Sequence, residues 1–315
     1  MRIDRRFVLS VVIACAVPAL SQAPPDPLAP ARALLDAGKA AESESLLRSY
    51  LAAHPESADA HYLLGYALFR ERKATESLAE FTAGAKFRHP RPDELKVVAA
   101  DYVMLGDYSD ADKWFSQVVS ETPNDADAWY LLGRTRYNEN EFAAAIAAFE
   151  HALILQPKFV EAENNVGLAW KELNDHEKAR AAFQAAIDWQ GDSPVDAQPF
   201  LNLGTLLADA NNNEQAAVLI ARALSLAPNN PSAHEELGKV YLAMNRLTEA
   251  QSELEKAIAL SPDTSALHYK LGQILRKEGQ ADRAQQEFAI CERLNGAHSS
   301  SKTPNPPSTS KPEPR

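Results

Sequence analysis

The sequence predicts an all-α chain of paired helices stacked in single file. Three observations predict it. A pattern of small and aromatic residues recurs every 34 residues through the middle of the chain. Each period holds two stretches whose apolar residues fall at helical spacing. Between the two stretches stands a residue that tolerates left-handed backbone: Gly38, Gly106, Asn140, Asn174, Asn211, Asn245 and Gly279, with Arg72 the one departure.

Taken in order, residues 1–23 come first and read as an export signal. Arg2, Arg5 and Arg6 precede an uncharged apolar run from Phe7 to Ala16, which is short for a bilayer span, and Pro18 breaks it. Cleavage fits after Ser21 or Ala23, and an uncleaved anchor is the alternative. Val12-Ile13-Ala14-Cys15 resembles a loose lipobox, so Cys15 is either a lipid attachment point or a small hydrophobe of the signal. Arg5-Arg6 before Phe7 also resembles a twin-arginine signal. The expected location is periplasmic or secreted, or membrane-anchored through Cys15. At the other end, residues 299–315 contain only Ser, Lys, Thr, Pro, Asn, Glu and Arg, and are expected to be a disordered tail.

Between these ends the register divides residues 24–298 into eight repeats: 24–57, 58–91, 92–125, 126–159, 160–196, 197–230, 231–264 and 265–298. Positions are counted from the first residue of each. The fourth repeat gives the pattern: Trp129, Leu132 and Gly133 on the first helix, then Ala145, Phe149 and Ala152, then Pro157. Glycine recurs at the eighth position as Gly65, Gly167, Gly204, Gly238 and Gly272, where a side chain would hold the two helices apart. Pro55, Pro123, Pro157, Pro228 and Pro262 close the second helices, because proline cannot continue one. The first repeat is irregular, with Ala31 for glycine and Tyr50 where a small residue belongs, and the third has Ala99 for glycine. The fifth repeat is three residues longer than the others, around Gly191-Asp192-Ser193-Pro194.

This pattern resembles the tetratricopeptide repeat family, whose signature is W-x2-L-G-x2-Y, then A-x3-F, then P. The resemblance covers 275 of 315 residues. It implies a right-handed α-solenoid of about eight helix-turn-helix repeats, each packing on its neighbours, with the first helices lining a concave groove. It also implies that positions 2, 5, 6, 9, 12 and 13 of each repeat point into that groove. Carried over here, these are Tyr62, Tyr66, Phe69 and Arg70 in the second repeat and Tyr130, Arg134 and Tyr137 in the fourth. Aromatic rings with polar tips beside arginine make good recognition surfaces. Asn165 and Asn202 share the sixth position and resemble a short asparagine ladder that grips a peptide backbone, since an amide both donates and accepts. The two-carboxylate clamp of chaperone-docking relatives is not reproduced.

Composition narrows the function. With 45% hydrophobic and 24% charged residues the chain is globular. Its net charge is −11; removing residues 1–23 (+2) and 299–315 (+2) leaves −15 on the array. That balance opposes nucleic acid and anionic lipid as partners. The two cysteines, Cys15 and Cys291, make no disulfide framework. No phosphate loop, H-E-x-x-H helix, nucleophile elbow or C-x-x-C pair is present. His61, His234 and His268 all occupy the fourth position, where Trp129 and Phe200 stand in other repeats, and are expected to pack between helices. No cofactor or metal is expected. The expected function is a non-catalytic scaffold for a protein or peptide of unknown identity. A lipid-anchored, pilotin-like assembly factor is the alternative in the same family, and an enzyme assembled across repeats is the third reading.

Overall fold

A computed structural model describes residues 26–300, with side chains through Gly296. The export signal, Cys15 and most of the tail therefore lie outside the described residues. Among the described residues there are sixteen helices and no strand. They are α1 (Ala29–Asp36), α2 (Ala40–Ala53), α3 (Ala58–Arg70), α4 (Ala74–Ala85), α5 (Pro92–Leu105), α6 (Tyr108–Glu121), α7 (Ala126–Asn138) and α8 (Phe142–Leu155). Then come α9 (Val160–Glu172), α10 (His176–Asp188), α11 (Gln198–Asp209), α12 (Asn213–Leu226), α13 (Pro231–Ala243), α14 (Leu247–Leu260), α15 (Ser265–Lys277) and α16 (Ala281–Ser300). Each of the eight sequence intervals holds one pair. The last helix runs through Ser300, two residues into the segment expected to be a tail. None of the helices is long and apolar enough to cross a membrane.

The chain divides into two compact units at Pro90/Arg91. In the first, α1 to α4 pack in succession, and in the second α5 to α16 do the same. The pairs close through the missing side chain at position eight. A methyl group placed on Gly133 would lie 2.6 Å from the Phe149 ring, closer than real carbons approach, so α7 and α8 touch there only because the residue is glycine. Ser43 and Ser77 replace the small alanine of the second helix; both are buried, and each hydroxyl donates to the eighth-position carbonyl, Ala31 O at 3.0 Å and Gly65 O at 2.8 Å. Thus both of these buried hydroxyls are answered within their own pair.

Helix starts follow local chemistry. Ser57, Asp107, Asp125, Asp175 and Asn230 each accept a backbone N–H of the first turn. The turn inside each pair takes left-handed backbone at Gly38, Gly106, Asn140, Asn174, Asn211, Asn245 and Gly279. Arg72 does so too, at φ 63°. The repeat geometry therefore imposes that conformation even on a residue unsuited to it.

Candidate functional site

The nine sequence-derived groove residues sit in two places. Tyr62, Tyr66, Phe69 and Arg70 lie on α3 in the first compact unit; Tyr130, Arg134, Tyr137, Asn165 and Asn202 lie on α7, α9 and α11 in the second.

Tyr62 is a correction. It is only 3% exposed, so it is not offered to a partner. Its ring tilts against Phe81 at 5.7 Å and lies over Gly84, where an added methyl would come within 2.8 Å of it. Its hydroxyl donates to the Arg88 carbonyl, and the Arg88 guanidinium covers the ring at 4.5 Å. Tyr66, Phe69 and Arg70 form a surface cluster instead. The Arg70 guanidinium donates to the Tyr66 hydroxyl at 3.0 Å, and the Tyr66 and Phe69 rings stack at 6.3 Å.

In the fourth repeat the rings stay half-buried. Tyr130 rests on Phe149 and Phe159, with Arg134 over its face at 5.8 Å. Its hydroxyl accepts from the Asn165 amide at 3.3 Å, and burial raises its phenol above the usual range. Tyr137 meets Phe142 edge-on at 5.4 Å and donates to Glu172 at 3.5 Å; burial first, then the Glu172 charge, raises its phenol too. The result is a run of rings with polar tips and one exposed guanidinium spanning α7 and α9, able to stack on a side chain and hydrogen-bond a peptide.

Asn165 and Asn202 are not in one hydrogen-bonded row. The Asn165 amide also donates to the Glu161 carbonyl at 2.7 Å, and that of Asn202 donates to Asn164 Oδ1 at 2.8 Å. Each keeps its own side-chain oxygen free of any hydrogen bond in the structure. The fifth-position Asn164 is the link between α9 and α11, a role its position in the sequence did not suggest.

The histidines have a definite task. In His61, His234 and His268, Nε2 donates to a proline carbonyl six residues back (Pro55, Pro228 and Pro262, at 2.9–3.0 Å). Nδ1 lies 2.6–2.7 Å from a glutamate nineteen residues on: Glu80, Glu253 and Glu287. Trp129 keeps half of this clamp, donating from Nε1 to Pro123 O at 2.9 Å. The clamp ties each repeat to the end of the one before. The recurrent glutamate was readable in the sequence once the register was fixed, because all three stand at position 23. No cluster of three or more His, Cys, Asp or Glu side chains that could hold a metal ion occurs among the described residues.

Comparison with known proteins fits this geometry. A family model described as Tetratricopeptide repeat matches residues 28–90, 99–158 and 132–197; a second of that description matches 207–256, and one described as TPR repeat matches 238–279. The chain belongs to the tetratricopeptide repeat family. Among curated proteins, this tetratricopeptide chain is 28% identical over 167 residues to Protein O-mannosyl-transferase TMTC1 of Mus musculus, covering 51% of the chain and 17% of that protein. It is 27% identical over 187 residues to Protein FlbA of Caulobacter vibrioides, covering 46% of the chain and 31% of that protein. It thus spans less than a third of either relative. Among solved structures, a tetratricopeptide repeat protein from Parabacteroides merdae superposes with a TM-score of 0.63 at 18% identity, over 79% of this chain and 97% of that one. The APC/C Cut9–Hcn1 assembly gives 0.60 at 17%, over 85% and 52%. PilW, a type IV pilus biogenesis factor, gives 0.59 at 21%, over 67% and 95%. These likenesses show the fold.

Proposed function

We propose that this tetratricopeptide chain is a non-catalytic scaffold that holds a protein or peptide segment against the first helices of its repeats. The observation that carries this reading is the Tyr130–Asn165 pair under Arg134. The rings are anchored by packing, while their polar tips and a guanidinium remain at the surface. Such pre-set side chains lose little entropy when a partner binds. Tyr66, Phe69 and Arg70 supply a smaller cluster of the same kind on α3. The side chains around these rings are tied into packing and hydrogen bonds, which suits recognition and leaves none aligned as a base beside a nucleophile.

The test is photo-crosslinking from position 138, exposed at the end of α7, in the full chain, with the captured peptide read by mass spectrometry. Tyr130→Ala and Asn165→Ala should each reduce capture several-fold. Capture that both variants leave unchanged overturns the reading.

Residues 1–23 support an exported location, and Val12 to Cys15 support a lipid-anchored, pilotin-like assembly factor as the second reading. Membrane fractionation separates them. Cys15→Ala should release a lipid-anchored chain from the membrane fraction and leave an unanchored one where it was.

A further inference from the structure

Across successive first helices, position 5 of one repeat meets position 6 of the next. Tyr130 meets Asn165, Glu235 meets Lys270, and Asn164 meets Asn202. In the first pair both amide hydrogens of Asn165 are used, one on the Tyr130 hydroxyl at 3.3 Å and one on the Glu161 carbonyl at 2.7 Å. In the second, opposite charges meet as an ion pair. The third is half made. Asn202 Nδ2 donates to Asn164 Oδ1 at 2.8 Å, but Asn164 Nδ2 makes no bond in return to Asn202 Oδ1. Among the described residues neither of those two atoms has a hydrogen-bond partner.

Burial gives this open half its meaning. Asn164 is only 6% exposed, yet its Nδ2 is not sealed from solvent. A donor so deeply placed is normally answered, because leaving it unmade forfeits its hydration. Asn164 is also the smallest side chain at position 5 from the second repeat to the eighth; the others are Tyr62, Lys96, Tyr130, Leu201, Glu235 and Tyr269. Beside the larger Tyr130 of the repeat before, it leaves room for a side chain from outside to come down to it.

We infer that the Asn164–Asn202 pair receives the side-chain carboxamide of a glutamine or asparagine in the bound segment, an inference that rests on the scaffold reading above. The free donor and the free acceptor stand on two side chains joined by one hydrogen bond, so their complement must offer an acceptor and a donor along one edge. A primary amide does, with its C=O and one N–H on the same side. A trans peptide unit of main chain does not, because its C=O and N–H point opposite ways. A carboxylate answers Asn164 Nδ2 but sets an oxygen against Asn202 Oδ1. An ammonium answers Asn202 Oδ1 but sets hydrogens against Asn164 Nδ2.

The probes are pools of capped nonapeptides, degenerate except for a central glutamine, glutamate, lysine or leucine. Each pool is passed over the immobilised full chain at physiological salt, and retention is read by mass spectrometry. Asn164→Leu should lower retention of the glutamine pool about three- to tenfold, as the loss of one or two hydrogen bonds requires, and leave the other pools as they were. Asn164→Asp keeps the shape and the acceptor for Asn202 but turns the free donor into a carboxylate oxygen. It should lower the glutamine pool and raise the lysine pool, a change of preference that a packing role for Asn164 would not produce. Circular dichroism checks that both variants keep the helices. Pools that depend on Tyr130, as a Tyr130→Ala chain reports, but respond alike to both Asn164 variants overturn this inference and leave the scaffold reading standing. Pools retained no better than on Tyr130→Ala overturn both.

Discussion

Tyr62 in the second repeat and Tyr130 in the fourth hold the same position, the fifth, and meet opposite fates. Tyr62 is buried as a core ring; Tyr130 stays half-exposed with its hydroxyl on Asn165. The difference traces to one methyl group, twenty-two residues downstream. Position 27 is Gly84 in the second repeat and Ala152 in the fourth. Over Gly84 there is room for the ring to lie down, and the hydroxyl then reaches the Arg88 carbonyl. Ala152 is fully buried and occupies that space, so Tyr130 leans on Phe149 and Phe159. A half-exposed ring and a core ring are thus interchangeable at this position, and the second helix decides which one the first helix carries.

The largest effect should come from removing the two rings. Tyr62→Ala leaves a cavity between Phe81 and Gly84, and should cost about 3–5 kcal/mol. Tyr130→Ala gives up a half-buried ring and should cost about 1 kcal/mol. A long repeat array does not unfold in one step, so the readout is amide hydrogen exchange in α3 and α7 rather than one midpoint. Equal losses would break the contrast.

Gly84→Ala sharpens it further. The new methyl must displace the Tyr62 ring, and overpacking of this kind costs about 1–3 kcal/mol. The ring should become accessible, so tyrosine nitration at position 62 should rise. In the fourth repeat, Ala152→Gly should draw Tyr130 inward and slow its nitration, at a helix cost of about 1 kcal/mol.

The fourth position offers a second contrast of the same kind. In the second repeat His61 clamps Pro55 and Glu80; in the fourth, Trp129 reaches Pro123 and stacks on His151 at 4.4 Å. Glu80→Leu should cost about 1–3 kcal/mol by leaving the imidazole without its partner. Adding His61→Phe should recover most of that loss, because Phe200 and Leu219 already occupy the same two places within one apolar cluster. A double-mutant cycle with no coupling between the two sites would refute the clamp.

The junctions before these repeats also differ under acid. Lys73, then Arg48, hydrogen-bond Glu44 and lower its carboxyl to about 2. A carboxyl depressed on folding adds stability that is complete above the unfolded pKa and is lost as pH falls through the folded one. Protection of α2 and α3 should therefore weaken as pH is lowered from about 4.5 toward 2. Lys73→Gln should abolish most of that slope.

Much of the fold was legible because it is periodic. Glycine at position eight, alanine at twenty and an asparagine or glycine at fifteen each answer a local steric demand, and such demands repeat with the chain. The site was less legible for the same reason in reverse. Whether Tyr62 faces water depends on Gly84, on another helix, and no signal at position 62 reports it. The ties from the histidines to the prolines of the repeat before are relations between two repeats. They emerge only when residues from successive repeats are set against each other. Asn165 and Asn202 align at the sixth position, whereas Asn202 bonds Asn164 at the fifth, a pairing across register that the alignment of repeats does not signal.

The smallest predicted effect concerns position fifteen, where the second repeat has Arg72 and the fourth has Asn140. Both take left-handed backbone, at φ 63° in each. Asparagine tolerates that region because its short amide can bond locally, whereas arginine gains nothing there and meets the carbonyl clash that excludes most side chains. Arg72 is exposed, and its side chain makes no hydrogen bond that would repay the strain. Arg72→Asn should therefore stabilise the second repeat by about 0.5–1 kcal/mol. Arg72→Gly should gain less, since glycine relieves the same clash but loses more freedom on folding. Hydrogen exchange in α4 reads both. If Arg72→Asn is neutral or harmful while Asn140→Arg in the fourth repeat costs about 1 kcal/mol, the two turns are not equivalent, and the second repeat is built to hold an arginine at this bend.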